Sequence, residues 1–338
     1  MINTDADVAA KATSLVSLTD FAGHEKYLKT TIHGISFGMV DYALLLANAK
    51  HPPTHMTRQH ISLAVACGIP IVVVLTKVDG CPAHVLKSTK DEISAILRSP
   101  EVKKKPYQIK QEFDISIVQN KMHGITPMIS ISCVTGEGLD LFHMLLSSLP
   151  KRRRHHQKFN RSFEYLVEDM FSIVGVGVVV SGFVNAGQLR LGQKVFLGPC
   201  ADGTSIHSQV KSLHIARTHV DSVVAGNNAC LGLILTKDDK KLVRKGMVVL
   251  EHPVQSSLVF EAEIAILKGN GVDGATIRQN YETMVHVLHV RQSARIENIE
   301  VISAADGGRR MELDSTNGVV RPGSKARVTF RFLLQKVT

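Results

Sequence analysis

An α/β domain on a parallel sheet, followed by two all-β barrel units, is the fold class this sequence predicts. Three observations carry that prediction. Over residues 15–150, short apolar strand-like runs alternate with helix-like stretches, the pattern of strands joined by right-handed helical crossovers. A charged linker, Pro150-Lys151-Arg152-Arg153-Arg154-His155-His156, breaks the pattern. Beyond it, Val- and Ile-rich runs are punctuated by glycine and proline with little helical periodicity.

The elements follow in order. Leu15-Val16-Ser17-Leu18 is a short apolar run that reads as a first strand. The run from Tyr42 to Ala47 is continuously apolar, as expected of a strand covered on both faces. Thr57 to Cys67 reads as a helix, stopped by Gly68. Ile69 to Leu75 is a β-branched, buried strand. Pro82 opens the next helix and Ser99-Pro100 closes it. The polar stretch 101–126, with Lys103-Lys104-Lys105, reads as an insertion. Met128 to Ile131 is a last strand, and Leu139 to Leu149 a last helix. In the second half, the glycines of the 171–182 run mark bulges or corners of a closed barrel. The runs 195–197, 210–215, 229–235 and 247–250 complete that unit. His252-Pro253 marks a boundary, and the runs 260–267, 284–290, 294–302 and 326–334 read as a further β unit.

Composition narrows the class. The chain has 338 residues, 44% of them hydrophobic, enough for two or three domains with their own cores. It has neither an apolar run of about 20 residues nor an apolar leader, which points away from membrane and secretion and toward the cytoplasm. The five cysteines (Cys67, Cys81, Cys133, Cys200, Cys230) are scattered without a C-x-x-C pair. They read as buried, reduced thiols rather than a disulfide frame or a zinc site. The net charge of +10 favours polyanionic partners. The histidines His51, His55, His60, His155 and His156 are taken as surface residues.

Three motifs carry chemistry. Asp20-Phe21-Ala22-Gly23-His24 follows the first apolar run. A carboxylate at a strand end, Asp20, suits a Mg²⁺ ion held through water. Gly23 lets its backbone N–H approach a terminal phosphate closely, and His24 is placed to orient an attacking water. Thr76-Lys77-Val78-Asp79 ends the 69–75 strand. The Asp79 carboxylate matches the paired N–H donors of guanine, which adenine lacks. Lys77 lays its aliphatic stem along the base, while Thr76 stands where asparagine is more usual. Ser132-Cys133-Val134-Thr135-Gly136 follows the last strand: Ser132 braces the loop, and the Cys133 N–H reaches guanine O6. Singly each motif also fits a plain turn, with Thr135 as an N-cap in the third. Together, in this order, they describe a GTP site.

On these residues the chain resembles the translational GTPases of the elongation factor Tu type. DFAGHEKYLKTT resembles their D-x-x-G-H segment, and TKVD and SCVTGEGL match their guanine motifs. FSIVGVGVVVSGFVNAGQLRLGQKVFLGP and VRKGMVVLEHP are similar to their first β-barrel. FEAEIAILKG, MVHVLHVRQSARI and VRPGSKARVTFRF are similar to their third domain. The wording is nearest to the GTP-binding protein 1 and 2 family. The resemblance implies a P-loop-type GTPase domain at 1–150, a basic linker at 151–160, a translation-factor β-barrel at 161–254 and a partial β-barrel at 255–338. It also implies GTP/GDP as ligand with Mg²⁺ at Asp20, and nucleotide contacts from Asp20, Phe21, Ala22, Gly23, His24, Thr76, Lys77, Asp79, Ser132, Cys133 and Val134. The implied partners are tRNA, mRNA or the ribosome, and an exchange factor; a monomer is expected.

One departure bears on activity. The phosphate loop G-x-x-x-x-G-K-[ST] does not occur in these residues. Its charge-assisted hydrogen bonds contribute about 1.5–3 kcal/mol each. Without three of them, nucleotide affinity falls by about three orders of magnitude or more. The expectation is a chain that alone binds GTP poorly and hydrolyses it slowly or not at all, with an open sheet edge and low solubility. The rival class is a non-catalytic RNA or protein adaptor with a vestigial nucleotide domain. Lys103–Lys105 and Lys151–Arg154, and more weakly Arg217, Arg291 and Arg295, are the candidate RNA-phosphate contacts.

Overall fold

The computed structural model of the chain describes residues 16–36, 40–152, 155–253, 255–266, 276–303, 319–334 and 337. It divides into two compact units, 1–153 and 154–338.

In the first unit a 3₁₀ turn, Glu25–Tyr27, leads into α1 (Leu28–Ser36). Then β1 (Ala43–Asn48), α2 (His55–Ala66), β2 (Ile71–Thr76), α3 (Ala83–Arg98), β3 (Lys105–Gln108), α4 (Glu112–Gln119), β4 (Ile125–Ser130) and α5 (Leu139–Ser148) follow. The four strands form one parallel sheet in the order β1-β2-β4-β3. Strand β2 is central, which explains its unbroken apolar sequence. Val73 and Leu75 face one core with Ile61 of α2 and Ile93 and Leu97 of α3. Val72 and Val74 face the other, with Val118 of α4 and Leu145 of α5.

Local chemistry sets the helix ends. The Thr54 side chain accepts the Thr57 N–H, and Thr57 returns the bond to the Thr54 N–H, so α2 starts with a reciprocal cap. Gly68 follows it at φ +66°. Pro82 precedes α3, and Ser99 ends it in extended geometry ahead of Pro100.

Four expectations are corrected. Residues 16–20 form no strand, and Val16 and Leu18 are 55% and 74% exposed. A strand needs a ladder partner, and among the described residues β1 pairs only with β2. Leu15 lies outside the described residues. For the same reason β1 is an edge strand rather than one covered on both faces: Leu46 is 68% exposed, and its neighbours Leu44 and Leu45 are half-buried. The stretch 101–126 is no insertion. It supplies edge strand β3 and helix α4, and Val102, Ile109, Ile115, Val118 and Met122 are core. Its apolar residues are sparse because an edge strand and a peripheral helix each bury only one side. The thiols are not uniformly buried: all five are free, Cys200 is buried, and Cys67 and Cys133 are exposed.

The second unit begins with β5 (Glu164–Ile173), β6 (Gly177–Ala186), β7 (Gln188–Arg190), β8 (Lys194–Gly198), β9 (Ile206–Ile215), β10 (Thr218–His219), β11 (Ser222–Val224), β12 (Asn228–Ile234) and β13 (Val248–Leu250). The sheet runs β10-β9-β12-β6-β5-β13-β8, and β8 pairs with β9 to close it into a barrel. Its core includes Tyr165, Val180, Leu197, Leu213 and Leu231. The buried Tyr165 hydroxyl lies 2.8 Å from the Ala229 carbonyl and 3.1 Å from that of Val180. Gly182 sits opposite a bulge in β5, where a Cβ would come within 1.9 Å of the Leu166 carbonyl oxygen.

The remaining strands are β14 (Val259–Ala265), β15 (Ile277–Arg278), β16 (Glu282–Val287), β17 (Val290–Ser303), β18 (Val319–Val320) and β19 (Lys325–Phe332). They form a sheet β14-β19-β17-β16 and a separate pair β15-β18. Phe260 stacks on Phe330 and Phe332 in its core.

Candidate functional site

The turns after β2 and β4 leave the sheet at the carboxyl ends of adjacent parallel strands, where ligands bind in open α/β folds. Ser132 organises both. Its side chain is fully buried. Its hydroxyl donates to Asp79 Oδ1 at 2.5 Å and accepts the N–H groups of Val134 at 3.1 Å and Thr135 at 3.2 Å. One donor and two acceptor positions are thus all used. The Val78 N–H to Ile131 carbonyl bond, 3.4 Å, stitches the same two turns. Around Ser132 the loop closes on itself: its N–H donates to the Glu137 carbonyl at 2.9 Å, and the Gly136 N–H to the Ser132 carbonyl at 3.0 Å. Gly138, at φ +73°, begins α5, and a Cβ there would lie 2.2 Å from the Ser130 carbonyl oxygen. Thr135 is not the N-cap of α5. That position belongs to Gly138, and the Thr135 hydroxyl instead accepts the Glu137 N–H at 3.3 Å.

The Ser132 hydrogen bond holds the Asp79 carboxyl below the usual carboxylate range; desolvation opposes it, and Lys50 and Lys77 assist. Asp79 is half-buried, and its carboxylate keeps acceptor positions beyond the one that Ser132 uses. Among the described residues the Cys133 N–H donates to no protein acceptor. Cys133 and Val134 are exposed, Val134 at 84%. Lys77, at φ +59°, lifts its exposed side chain out of the turn. The Thr76 hydroxyl is turned back to the Ala47 carbonyl at 3.3 Å, while the Ala49 N–H donates to the Thr76 carbonyl at 2.9 Å.

Sequence reasoning missed Lys50. The turn that carries it is pinned at the buried Ala49, whose carbonyl accepts from the Cys81 thiol at 3.4 Å and the Thr89 hydroxyl at 3.2 Å. The Lys50 ammonium stands 3.8 Å from where a Gly80 Cβ would be, beside Asp79. Its signal in the sequence is only a lysine two residues past a strand end, which no spacing rule singles out.

Asp20, Phe21, Ala22, Gly23 and His24 form a separate local assembly. The Phe21 ring packs on Gly34 of α1, where a Cβ would lie 2.2 Å from the ring. The Thr31 hydroxyl donates to the Ala22 carbonyl at 2.8 Å. His24 caps the 3₁₀ turn, its Nδ1 accepting the Lys26 N–H at 3.1 Å. That bond leaves the neutral ring's proton on Nε2, so His24 presents a donor. Asp20 is exposed. Among the described residues no hydrogen bond or ion pair joins 20–24 to the 76–79 or 132–134 turns. No group of three or more His, Cys, Asp or Glu side chains is gathered for a metal among them either. A lone carboxylate is a fit for Mg²⁺ only in the manner that ion favours, with waters and ligand phosphates completing the shell.

Several basic candidates are used inside the protein. Arg152 donates to the Asp41 carbonyl at 3.0 Å and the Gly68 carbonyl at 2.9 Å. Beside it the Tyr42 hydroxyl donates to the Pro150 carbonyl at 2.6 Å. Lys104 bonds the His123 carbonyl, and Arg295 pairs with Glu282 at 2.8 Å. Lys103, Lys105, Lys151, Arg217 and Arg291 are exposed; Arg153 and Arg154 lie outside the described residues.

A parallel-sheet domain whose strand-end turns are braced by an Asp–Ser bond, followed in the chain by a closed β-barrel, is the architecture of the translation-factor class. Comparison with known proteins agrees. The family described as elongation factor Tu GTP binding domain matches residues 2–151, and elongation factor Tu domain 2 matches residues 177–250. The chain belongs to the translational GTPases of the elongation factor Tu type. It is 34% identical over 330 residues to GTP-binding protein 1 of Xenopus laevis, covering 96% of this chain and 47% of that protein. It is 31% identical over 338 residues to GTP-binding protein 2 of Mus musculus, covering 98% of this chain and 53% of that one. The chain therefore spans about half the length of these curated relatives. In fold it is similar to apo translation elongation factor SelB from Methanococcus maripaludis, with TM-score 0.66, 19% identity, and coverage of 98% of this chain and 68% of that one. A bacterial selenocysteine-specific elongation factor, EF-Sec, gives TM-score 0.61 at 19% identity, covering 93% of this chain and 43% of the other. No helix of the described residues is long and apolar enough to cross a membrane.

Proposed function

We propose that this chain is the guanine-nucleotide-binding part of an elongation-factor-like translational GTPase. In that role it hydrolyses GTP to switch contact with tRNA, mRNA or the ribosome in the cytoplasm. The observation that carries the reading is the Asp79–Ser132 bond together with the Cys133 N–H, which has no protein acceptor among the described residues. A carboxylate for guanine N1–H and N2–H₂ and a backbone donor for O6 are held in one braced unit, and adenine matches neither. In this reading Lys77 covers the base, and Thr76, its hydroxyl committed to Ala47, contributes through the backbone. Val134 lines the rim.

Asp20 would hold Mg²⁺ through water, with Gly23 and the flanking Phe21 and Ala22 backbone against the terminal phosphate; the ion would neutralise developing phosphate charge. His24, presenting an Nε2 donor, orients the attacking water rather than taking its proton. Residues 1–150, 151–160, 161–254 and 255–338 serve as nucleotide domain, linker and two β domains of a monomeric factor that an exchange factor can reload. Because G-x-x-x-x-G-K-[ST] is not in these residues, the chain by itself binds weakly and turns over slowly.

A fluorescent GDP titration tests the reading. Binding is expected only at high micromolar concentration or weaker, with guanine preferred over adenine and the preference abolished by Asp79→Ala. Submicromolar affinity refutes the weak-binding part. Equal binding of adenine and guanine nucleotides, indifferent to Asp79→Ala, refutes the site. The adaptor reading is favoured by the separate assembly of residues 20–24, and it predicts RNA or protein binding unaffected by GDP or GTP.

A further inference from the structure

A basic platform lies at the end of the first unit's sheet opposite the base turns. Strands β3 and β4 are parallel, with Lys105 beside Ile125 at their amino ends. The base turns follow the carboxyl end of β4, about 20 Å away along a strand of six residues. Two turns build the platform, 99–104 ahead of β3 and 120–124 ahead of β4. In the first, the Lys103 N–H donates to the Ser99 carbonyl at 2.9 Å and the Lys104 N–H to the Leu97 carbonyl at 2.8 Å. In the second, the Gly124 and Ile125 N–H groups both donate to the Lys121 carbonyl, at 3.1 and 3.0 Å. Val102 and Met122 anchor the turns in the two opposite cores. The Lys105 N–H joins them through the Gly124 carbonyl at 2.8 Å, and Lys104 adds its bond to the His123 carbonyl.

The charge of this platform is largely unspent. Helices α3 and α4 both end here, and helix carboxyl ends attract cations. Half-buried Lys104 serves that need. Arg98, Lys103, Lys105 and Lys121 are exposed, and the side chain of none of them pairs with another described residue. Within the two turns the one carboxylate is that of Glu101. The sequence shows only the run of lysines at 103–105; the fold adds Arg98 from a helix end and Lys121 from the neighbouring turn.

We propose that this platform binds the phosphate backbone of double-stranded RNA. The inference deepens the RNA part of the reading above and is independent of the guanine site. The side chains around the cations select the partner. Val102 and Met122 are turned inward, so no aliphatic side chain of the turns stands out to enter a bilayer. The turns carry no aromatic ring to stack on an unpaired base. Charge on a braced frame matches a row of phosphates. Exposed Asn120, in the same turn as Lys121, offers an amide to a ribose 2′-hydroxyl, the group that separates RNA from DNA.

Fluorescence anisotropy of a labelled RNA duplex of about 20 base pairs, titrated with the whole chain from about 50 to about 200 mM salt, tests this. Wild type is compared with the platform variant Lys103→Gln/Lys105→Gln/Lys121→Gln. A control variant, Lys87→Gln/Lys194→Gln/Lys325→Gln, removes the same charge from exposed positions elsewhere. The platform variant should bind at least about tenfold more weakly, and its slope of log affinity against log salt should shrink by about one for each lysine removed. The control should stay within about threefold of wild type. Asp79→Ala should leave duplex binding unchanged. Equal losses in the platform and control variants, or a wild-type salt slope in the platform variant, overturn the surface and leave the RNA reading standing. Equal binding of the matching DNA duplex overturns the choice of RNA, as does capture by phosphatidylserine vesicles without duplex binding. A wild-type chain that binds no duplex overturns the inference outright, while the guanine preference in the GDP titration still decides the nucleotide reading.

Discussion

Replacing Ser132 with alanine removes three hydrogen bonds at once, and the structure separates their effects. Two are backbone N–H groups, Val134 at 3.1 Å and Thr135 at 3.2 Å, held by a hydroxyl that is fully buried. Neutral bonds of this kind contribute about 0.5–1.5 kcal/mol each, so the turn should lose about 1–3 kcal/mol. For a unit of this size that lowers the melting temperature by about 2–4 °C per kcal/mol. The third bond is the one to Asp79, the leading cause of its lowered pKa. A carboxylate depressed in the folded state contributes stability above its unfolded pKa of about 3.9 and loses it as pH falls through the folded value. Ser132→Ala should therefore raise the Asp79 midpoint and narrow the stability gap between wild type and variant in strong acid. Since guanine needs the ionised carboxylate, the acid limb of GDP binding should move to higher pH in the variant. Urea denaturation across pH 2–7 reads the first effect without nucleotide, and GDP titration across the same range reads the second. A variant with unchanged urea midpoint and an unchanged acid limb would refute the claim that Ser132 couples the two turns.

Lys50→Met should raise the Asp79 carboxyl midpoint, followed by its carbon chemical shift, by less than Ser132→Ala does; an unmoved midpoint means the ammonium does not face that turn. Gly138→Ala places a Cβ 2.2 Å from the Ser130 carbonyl oxygen at a left-handed φ, which alone costs about 1–2 kcal/mol. The variant should lose at least about 2 kcal/mol in urea denaturation, and a wild-type midpoint would show that the α5 start can shift freely.

Much of this architecture is legible in the residues. The run Ile71–Leu75 is apolar at every position because the strand is central, and no other placement buries both of its faces. Pro82, Ser99-Pro100 and Gly68 end helices for local steric reasons that need no tertiary information. That the turns carrying Asp79 and Ser132 lie side by side is equally readable, because each motif follows a strand of one parallel sheet. The misses occur where a residue's setting depends on distant partners. Lys105–Gln108 is polar and contains Pro106, yet β4 recruits it as an edge strand. Leu15–Leu18 is apolar, yet residues 16–18 find no ladder partner among the described residues. Arg152 reads as a solvated or RNA-facing charge, and only the folded chain brings the Asp41 and Gly68 carbonyls to it. Lys50 gains its place from three hydrogen bonds at Ala49, whose partners Thr76, Cys81 and Thr89 lie 27–40 residues away, which no local pattern encodes.

The tie between Tyr42 and Pro150, seconded by Arg152, has a mechanical side. Tyr42 stands at the entrance of β1, and Lys50 just past its exit, with a strand of six residues between them. A strand of that length is a stiff rod of about 20 Å. One end abuts the turn that holds Asp79, and the other grips the point where the chain leaves the first unit. The strand thus spans from the turn beside Asp79 to the residues where the first unit ends, and hydrogen bonds fix it at both ends.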